Sequence, residues 1–459
     1  MPSVSWNRQR AAHLLRRAGF GGTPAELGRA LTEGREATVD RLLDFERTST
    51  ADLDARLAAF RFDLTTFYND SDSRNYEQFV NLSRWWILRM VYSPRPLEEK
   101  LTLFWHNHFA SSYAKVDTPP LLYAQNQLFR RLGEGRFESL LLAVAKDPAM
   151  LFYLDNNTNV KESIQENWGR ELLELFTMGV NHYSQTDVRA AAAAFTGWTT
   201  QFEPPYAFFV DDSEHDAGPK TFLGQTGNLD GTDIITILAR RPETAEFVTT
   251  KLARFFLGRN PGRGLARRLQ DLFLSVSGDI RAVVRAILLS DEFDESADNS
   301  DQVKSPIEFC VGALRNLGAT TDGALPLDFG SLIGQALFLP PNVAGWPAWT
   351  YGTTRWINTG AYAGRLLFAE LLAATIPGEA SSWWQARDFF PATLGSADAL
   401  IDFLAERFSM PPPSAALRRA LGAYLAQMGT WRWNLDDVAD RWGRGAVRLV
   451  LSSPEYQLQ

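Results

Sequence analysis

Apolar residues recur three and four positions apart along most of the chain, and this pattern predicts a mainly α-helical protein. Residues 165–198 show the pattern most clearly. The first half of this segment carries two stripes at helical spacing, an apolar stripe of Trp168, Leu172, Leu175 and Phe176 and a polar stripe of Asn167, Arg170, Glu171 and Glu174.

Punctuating residues divide the same segment into two helices. Gly179 follows the last apolar turn, where a left-handed cap residue is expected. Ser184 and Asp187 have the spacing of a capping box that begins a second, alanine-rich helix, and this helix ends near Gly197. The segment is therefore predicted to be a helical hairpin with two carboxylates one turn apart.

The remaining pattern predicts a large multi-helix, bundle-like fold with one excursion. Residues 199–231 are rich in proline and glycine, and the alternating piece 206–210 predicts a small β-hairpin. Residues 294–305 are acidic and rich in small side chains. We therefore predict a main helical domain over residues 1–300, which carries the candidate site, and a C-terminal helical region over residues 301–459 that packs on it.

Composition narrows the class of protein. The chain has 459 residues, 45% of them hydrophobic, and a formal charge of −8. Such a composition is globular, and an acidic balance argues against a general nucleic-acid partner. Cys310 is the single cysteine, so an intrachain disulfide cannot form. The sequence contains neither a transmembrane-length apolar run nor a secretory signal, which predicts a cytoplasmic protein unless a leader has been removed.

Two of the five histidines, His106 and His108, lie in the motif FWHNHF. On a helix two such rings diverge by roughly 200°, whereas on a strand they share a face. His108 falls on the apolar side of the predicted helix and His106 points elsewhere, so both reach one metal ion only if the helix loosens at Asn107. The alternative is a pair of core histidines that hydrogen-bond to backbone or carboxylate groups.

Glu171 and Glu174 form the second candidate pair. Two carboxylates one turn apart can hold a divalent cation or divide the roles of acid and base. The alternative is a solvated stripe in which Glu174 pairs with Arg170.

Two loops add further candidates. His215 and Asp216 are adjacent in the excursion, where they form either a functional pair or a turn closed by an Asx bond. Asn342 and Trp346 lie in a loop rich in proline, glycine and tryptophan, which suits either stacking on a sugar or a rigid cover over the core.

Several motifs together carry a family resemblance over about residues 10–456. They are HLLRRAGFGGTPAEL, KLTLFWHNHFASS, ENWGRELLELFTMGV, TDVRAAAAAFTGW, HDAGPKTFLG, KSPIEFCVGALRNLG and LPPNVAGWP. As a set they resemble the bacterial family catalogued as domain of unknown function 1800. The resemblance implies a mainly helical fold, and family members are often encoded beside a sulfatase-like protein, which implies such a companion as a partner. It also implies that the polar motif positions cluster in space, namely His106, Asn107, His108, Asn167, Glu171, Glu174, His215 and Asp216.

The resulting hypothesis is a metal-dependent enzyme, with hydrolysis as the expected reaction. A divalent ion between helices would activate water or polarise an oxygen of the substrate. The predicted metal ligands are His106, His108, Glu171 and Glu174. The predicted catalytic residues are Glu171, Glu174, His215 and Asp216, and the predicted substrate contacts are Asn107, Asn167, Asn342 and Trp346. The alternative is a non-catalytic module whose tryptophan-rich loops bind a glycan or a companion protein.

Overall fold

The structure, a computed structural model, describes residues 5–68, 73–299, 302–376, 378, 380–410, 412–433 and 439–459. Helices dominate these ranges and the strands form only short antiparallel pairs, which confirms the predicted mainly α fold. Among the described residues, no helix combines the length and the apolar character that a membrane span requires.

The first part of the chain is helical up to the excursion. Its helices are α1 (Arg8–Arg17), α2 (Pro24–Glu33), α3 (Arg35–Leu43), α4 (Ala51–Ala59), α5 (Ser73–Tyr92), α6 (Pro96–His108), α7 (Tyr113–Val116), α8 (Pro119–Leu132), α9 (Phe137–Ala145), α10 (Pro148–Tyr153), α11 (Asn167–Glu171) and α12 (Gln185–Ala194). Two 3-10 turns (Phe45–Arg47 and Asn156–Thr158) and a π-helix (Leu172–Thr177) lie between them.

Helices also dominate the second part of the chain. They are α13 (Gly231–Ala239), α14 (Pro242–Leu257), α15 (Arg263–Ser275), α16 (Ile280–Leu288), α17 (Asp291–Asn299), α18 (Pro306–Leu317), α19 (Ala324–Leu332), α20 (Pro347–Tyr351), α21 (Thr359–Ala374), α22 (Ala386–Phe389), α23 (Ala397–Arg407), α24 (Ala415–Ala426), α25 (Arg444–Ser452) and α26 (Pro454–Gln457). A 3-10 turn (Thr353–Trp356) and a second π-helix (Ala439–Gly443) complete this part.

The excursion forms two short hairpins rather than one. Strand β1 (Trp198–Thr200) pairs antiparallel with β2 (Phe208–Val210), and β3 (Lys220–Phe222) pairs with β4 (Gln225–Gly227). A further pair joins β5 (Thr320–Thr321) to β6 (Ser382–Trp383). The predicted hairpin is confirmed, and its first partner strand begins immediately after the alanine-rich helix.

Helices α6 and α18 lie at the centre of the fold, because every residue of both is buried. Proline at the first helical position and two glutamates in the first turn begin α6. Glu99 accepts hydrogen bonds from Trp86, Arg89 and Arg130 at 2.7 to 3.0 Å. Burial alone would raise the pKa of Glu99, but Arg130 and Arg89 lower it to about 2. The start of α6 is thus fixed by a buried ion cluster, and its far end carries the two histidines.

The predicted boundary at residues 294–305 is helical over much of its length, because α17 runs to Asn299. Residues 300 and 301 lie outside the described residues. Contacts join the two predicted regions: Lys100 pairs with Glu308, and Arg315 pairs with Glu26 at 2.9 Å. One apolar core cluster also includes residues from both regions.

The predicted helical hairpin is present, with one change. Ser184 and Asp187 form the capping box of α12, and Gly179 has φ +77°, as predicted. The first helix, however, changes at Leu172 from α to π geometry. Such wide turns appear frequently at functional sites.

Candidate functional site

A half-open cavity of about 500 Å³ lies between α6, the π-helix with its following turn, α14, and the segment that leads into α20. We call it the α6–α14 cavity. Its apolar lining includes Phe104, Leu175, Met178, Val180, Phe247, Phe255 and Trp349. Its polar lining includes Asn107, His108, Glu174, His182, Glu243, Glu246, Lys251 and Arg254. This volume and mixed lining are typical of a small-molecule site.

The end of the π-helix shapes one wall of the cavity. The backbone N–H groups of Met178 and Gly179 both donate to the Leu173 carbonyl, at 3.0 and 3.1 Å. The Thr177 hydroxyl donates to the Leu172 carbonyl at 2.6 Å. The chain then turns away at Gly179, so the carbonyls of the last turn are left for partners from other helices.

His108 forms a hydrogen bond to one of these carbonyls. Its Nε2 lies 3.1 Å from the Phe176 carbonyl oxygen. A carbonyl can only accept, so Nε2 carries the proton and Nδ1 is an acceptor. Nδ1 is buried and has no hydrogen-bond partner within the described part of the chain. Burial and the charge of Lys251 hold the pKa of His108 well below its ordinary value, which keeps the ring neutral.

Lys251 approaches the neighbouring carbonyl. Its Nζ lies 3.5 Å from the Leu175 oxygen, at the long limit of a hydrogen bond, and 5.1 Å from the centre of the Phe247 ring. Burial and then the charge of Arg254 lower the pKa of Lys251 to about 7. Lys251 is half-buried, and a substantial fraction of its amine is neutral near pH 7.

The two predicted carboxylates have different surroundings. Glu174 lines the cavity and accepts a hydrogen bond from the Tyr183 hydroxyl at 3.0 Å; burial and this bond raise the pKa of Tyr183 to about 12. Glu171 is not among the lining residues, and burial together with the charge of Glu174 raises its pKa. The alternative pairing with Arg170 is not formed, because Arg170 pairs with Glu166 at 2.9 Å.

His106 lies in an aromatic part of the core rather than at the cavity. Its ring packs against Trp86, Phe338 and Trp346 at centroid distances of 5.1 to 5.5 Å. Its Nε2 accepts the backbone N–H of Phe338 at 3.2 Å. Burial lowers the pKa of His106 to about 3. The two histidines therefore diverge, as expected on a regular helix.

The four predicted metal ligands do not form one coordination set. Across the described ranges, no three His, Cys, Asp or Glu side chains lie close enough together to hold a metal ion. His108 and Glu174 share the cavity, whereas His106 and Glu171 are not among its lining residues. The helix does not loosen at Asn107, which was the condition for both histidines to reach one ion.

His215 and Asp216 form a structural turn. His215 Nδ1 donates to the Thr196 carbonyl at 2.8 Å, and the Thr196 hydroxyl accepts the Asp216 N–H at 2.8 Å. Asp216 also accepts the N–H of Gly218 at 2.8 Å, which is the Asx bond of the alternative hypothesis. Neither side chain is among those that line the cavity.

The predicted substrate contacts divide in the same way. Asn107 lines the cavity, but its Oδ1 accepts the Trp346 N–H at 2.7 Å. Asn167 donates to Asp155 at 3.3 Å, and Asn342 accepts the Ala344 N–H at 2.9 Å in a local turn. Trp346 is only 2% exposed, so its faces are not available for stacking on a sugar.

Trp349 is an aromatic wall residue that the sequence analysis did not single out. It lines the cavity, packs edge-on against Phe255 at 5.5 Å, and its buried Nε1 has no partner within the described ranges. Lys251 was also missed. The signal existed, because Phe247, Lys251 and Phe255 are spaced four residues apart and place a lysine on an apolar helical stripe.

A comparison with family models places the chain. The family described as "Protein of unknown function (DUF1800)" matches residues 13–458, which is nearly the whole chain. Comparisons with curated proteins and with solved structures give no match. The resemblance seen in the sequence motifs is thereby confirmed, and the chain belongs to the DUF1800 family.

Proposed function

We propose that the protein is an enzyme that binds a small, partly apolar molecule in the α6–α14 cavity and transfers protons on it with Lys251, Glu174 and His108. One observation carries this proposal: these three side chains come from three separate elements and line a single cavity. Burial lowers the pKa values of Lys251 and His108, and titratable groups of this kind that converge in a mostly apolar cavity are typical of an active site.

The three groups suit different roles. Lys251, with its pKa lowered to about 7 by burial and Arg254, can take up or release a proton near neutral pH. His108 presents Nδ1 as an acceptor, because Nε2 is held by the Phe176 carbonyl. Glu174, bonded to the Tyr183 hydroxyl, supplies a carboxylate at the same cavity.

Hydrolysis, the reaction that the sequence predicts, is compatible with this set of groups. It needs a base that removes a proton from water and an acid that protonates the leaving group. Lys251 and Glu174 fill these two roles in the proposal. No step is assigned to a metal ion, because the predicted ligands do not converge.

A pair of isosteric variants tests the proposal. Turnover of chromogenic esters, amides, phosphoesters and glycosides is measured for the wild type, Glu174→Gln and Glu171→Gln. We expect kcat/KM to fall by about 100-fold or more in Glu174→Gln, the range for loss of a general acid or base. We expect Glu171→Gln to change it by less than about threefold, since this carboxylate does not line the cavity.

Two outcomes would count against the proposal. Equal losses of kcat/KM in the two variants would show that the effect does not depend on whether the carboxylate lines the cavity. Specific binding of a glycan or of a sulfatase-like companion without turnover of any substrate, unaffected by Glu174→Gln, would favour the non-catalytic module. The sulfatase-like partner stays a prediction from the resemblance, and co-purification tests it.

The divalent metal also stays a prediction, which elemental analysis tests directly. A wild type with about one equivalent of metal per chain, together with a His108→Ala/Glu174→Ala double variant that lacks this metal, would support a metal site at these residues. If both proteins contain only traces of metal, in equal amounts, the predicted metal site would be excluded, and the acid–base proposal would be unaffected.

A further inference from the structure

Lys251 is distinctive among the charged groups of the cavity. Among the described residues it forms no ion pair with a carboxylate, and its recorded polar partner is the Leu175 carbonyl at 3.5 Å. A desolvated lysine without a counter-ion and beside a second cation is the arrangement that activates amine nucleophiles. Here the second cation is Arg254, one turn further along α14.

The surroundings also favour an uncharged amine. His108 is held neutral chiefly by burial, and its Nδ1 lone pair has no partner among the described residues at the cavity wall. The Phe247 ring centre lies 5.1 Å from the same amine, and this cation–π contact offsets only part of the desolvation of the protonated form. Because the burial of Lys251 is not balanced by an ion pair among the described residues, desolvation shifts its equilibrium towards the neutral amine.

We infer that Lys251 is a nucleophile that forms an imine with an aldehyde or ketone bound in the α6–α14 cavity. This inference rests on the proposed function, names a carbonyl compound as the class of substrate, and gives Lys251 a covalent role in place of the acid–base role that it would have in hydrolysis.

The chemistry needs no co-reactant. The Nζ lone pair attacks the carbonyl carbon, the π electrons move to oxygen, and the nitrogen gives up a proton while the oxygen gains one. The resulting carbinolamine then loses water. Its hydroxyl group leaves together with a proton, the nitrogen releases its remaining hydrogen as a proton, and a C=N bond replaces the original C=O bond. We assign to Glu174, which lines the same cavity, the transfer of protons between nitrogen and oxygen.

The residues that line the cavity narrow the chemical class of the substrate further. Phe104, Phe247 and Phe255 provide an apolar surface for an aryl or alkyl group. Glu174, Glu243 and Glu246 also line the cavity, and repulsion from these carboxylates disfavours a polyanion. The favoured substrate is therefore an uncharged carbonyl compound with an apolar group.

Reductive trapping tests the inference. The full-length protein is mixed at pH 7 with 3-phenylpropanal and cyanoborohydride, and the labelling rate is measured at each of the seven lysines by peptide mapping. We expect Lys251 to be labelled at least about tenfold faster than the exposed Lys161, because a pKa lowered to about 7 leaves a large fraction of the Lys251 amine neutral at pH 7. The Lys251→Arg variant should lose the fast site, and Lys161→Arg should retain it.

Uniform labelling, or labelling at Lys251 no faster than at Lys161 in the folded protein, would overturn the inference. The result is separable from that of the hydrolase assay. Turnover that depends on Glu174 without fast labelling of Lys251 would leave the proposed function intact and exclude the imine. Fast labelling of Lys251 without Glu174-dependent turnover would support the imine and remove the roles assigned to Glu174.

Discussion

Lys100 is fully buried and Lys251 is half-buried, and among the described residues the two lysines differ in whether a carboxylate pairs with them. Lys100, on the central helix α6, forms a buried ion pair with Glu308, which also accepts the Ser305 N–H at 2.7 Å and the Gln459 amide at 3.0 Å. Lys251 faces a cavity and has a carbonyl at 3.5 Å.

The difference separates a structural charge from a functional one. A buried ion pair that is supported by further hydrogen bonds fixes the arrangement of the helices that it joins. A desolvated amine without such a pair weakens the fold, and a protein retains it where chemistry needs it. Burial alone would raise the pKa of Glu308, but the charges of Lys100 and Arg17 lower it to about 2. Glu308 is therefore ionised at all physiological pH values.

The largest expected effect comes from breaking the structural pair. Glu308→Ala leaves Lys100 buried without a counter-ion, so we expect the free energy of unfolding to fall by about 3–5 kcal/mol. Chemical denaturation followed by circular dichroism measures the change. As a control, Asp402→Ala removes one partner of the exposed pair with Arg418 and should cost less than about 1 kcal/mol. Equal costs would contradict the structural role of Glu308.

Removing the Lys251 amine should change the free energy of unfolding in the opposite direction. Lys251→Met is expected to abolish turnover and to raise the free energy of unfolding by about 1 kcal/mol at pH 6, because a desolvated charge is lost from the cavity. The test is a denaturation series in pH with the wild type as the reference. A variant less stable than the wild type at pH 6 would mean that Lys251 stabilises the fold.

The pH dependence follows from the lowered pKa. Between the folded pKa of about 7 and the ordinary unfolded value, the unfolded lysine holds a proton that the folded lysine lacks, so this group makes wild-type stability rise with pH in that window. The advantage of Lys251→Met should therefore be largest below pH 7 and shrink towards about pH 10. A difference that does not change over this range would contradict the lowered pKa.

A smaller effect tests the π-helix. Thr177→Val removes the hydroxyl bond to the Leu172 carbonyl, and Thr249→Val removes the comparable 2.7 Å bond to the Ala245 carbonyl in the ordinary helix α14. Each should cost about 1 kcal/mol. Only Thr177→Val should also slow the labelling of Lys251, because the Leu175 carbonyl lies on the π-helix. Equal labelling rates in the two variants would show that π geometry does not position this wall.

Local features of the fold were predictable because their causes lie within a few residues. The capping boxes at Thr23 and Ser184, the proline that begins α6 and the left-handed Gly179 are each fixed by side chains or backbone at short range. The divergence of His106 from His108 was likewise predictable from helical geometry.

The candidate site was only half predictable because it is assembled across the chain. Glu174 and His108 were identified from spacing, but which of each pair faces the cavity depends on the π turn and on α14. Nothing in LLELFT distinguishes a π from an α turn by hydrophobic pattern alone. Lys251 escaped notice because a single lysine in a helix is usually a solvated residue.

The proposed chemistry depends on the pKa of Lys251, which can be measured directly. Competitive labelling with isotopic acetic anhydride as a function of pH reports the titration of each of the seven lysines, and Lys251→Arg assigns the signal. The account predicts a midpoint of about 7 for Lys251. A midpoint near the ordinary lysine value of about 10.4 would show a solvated, protonated amine and would contradict both the proposed chemistry and the imine.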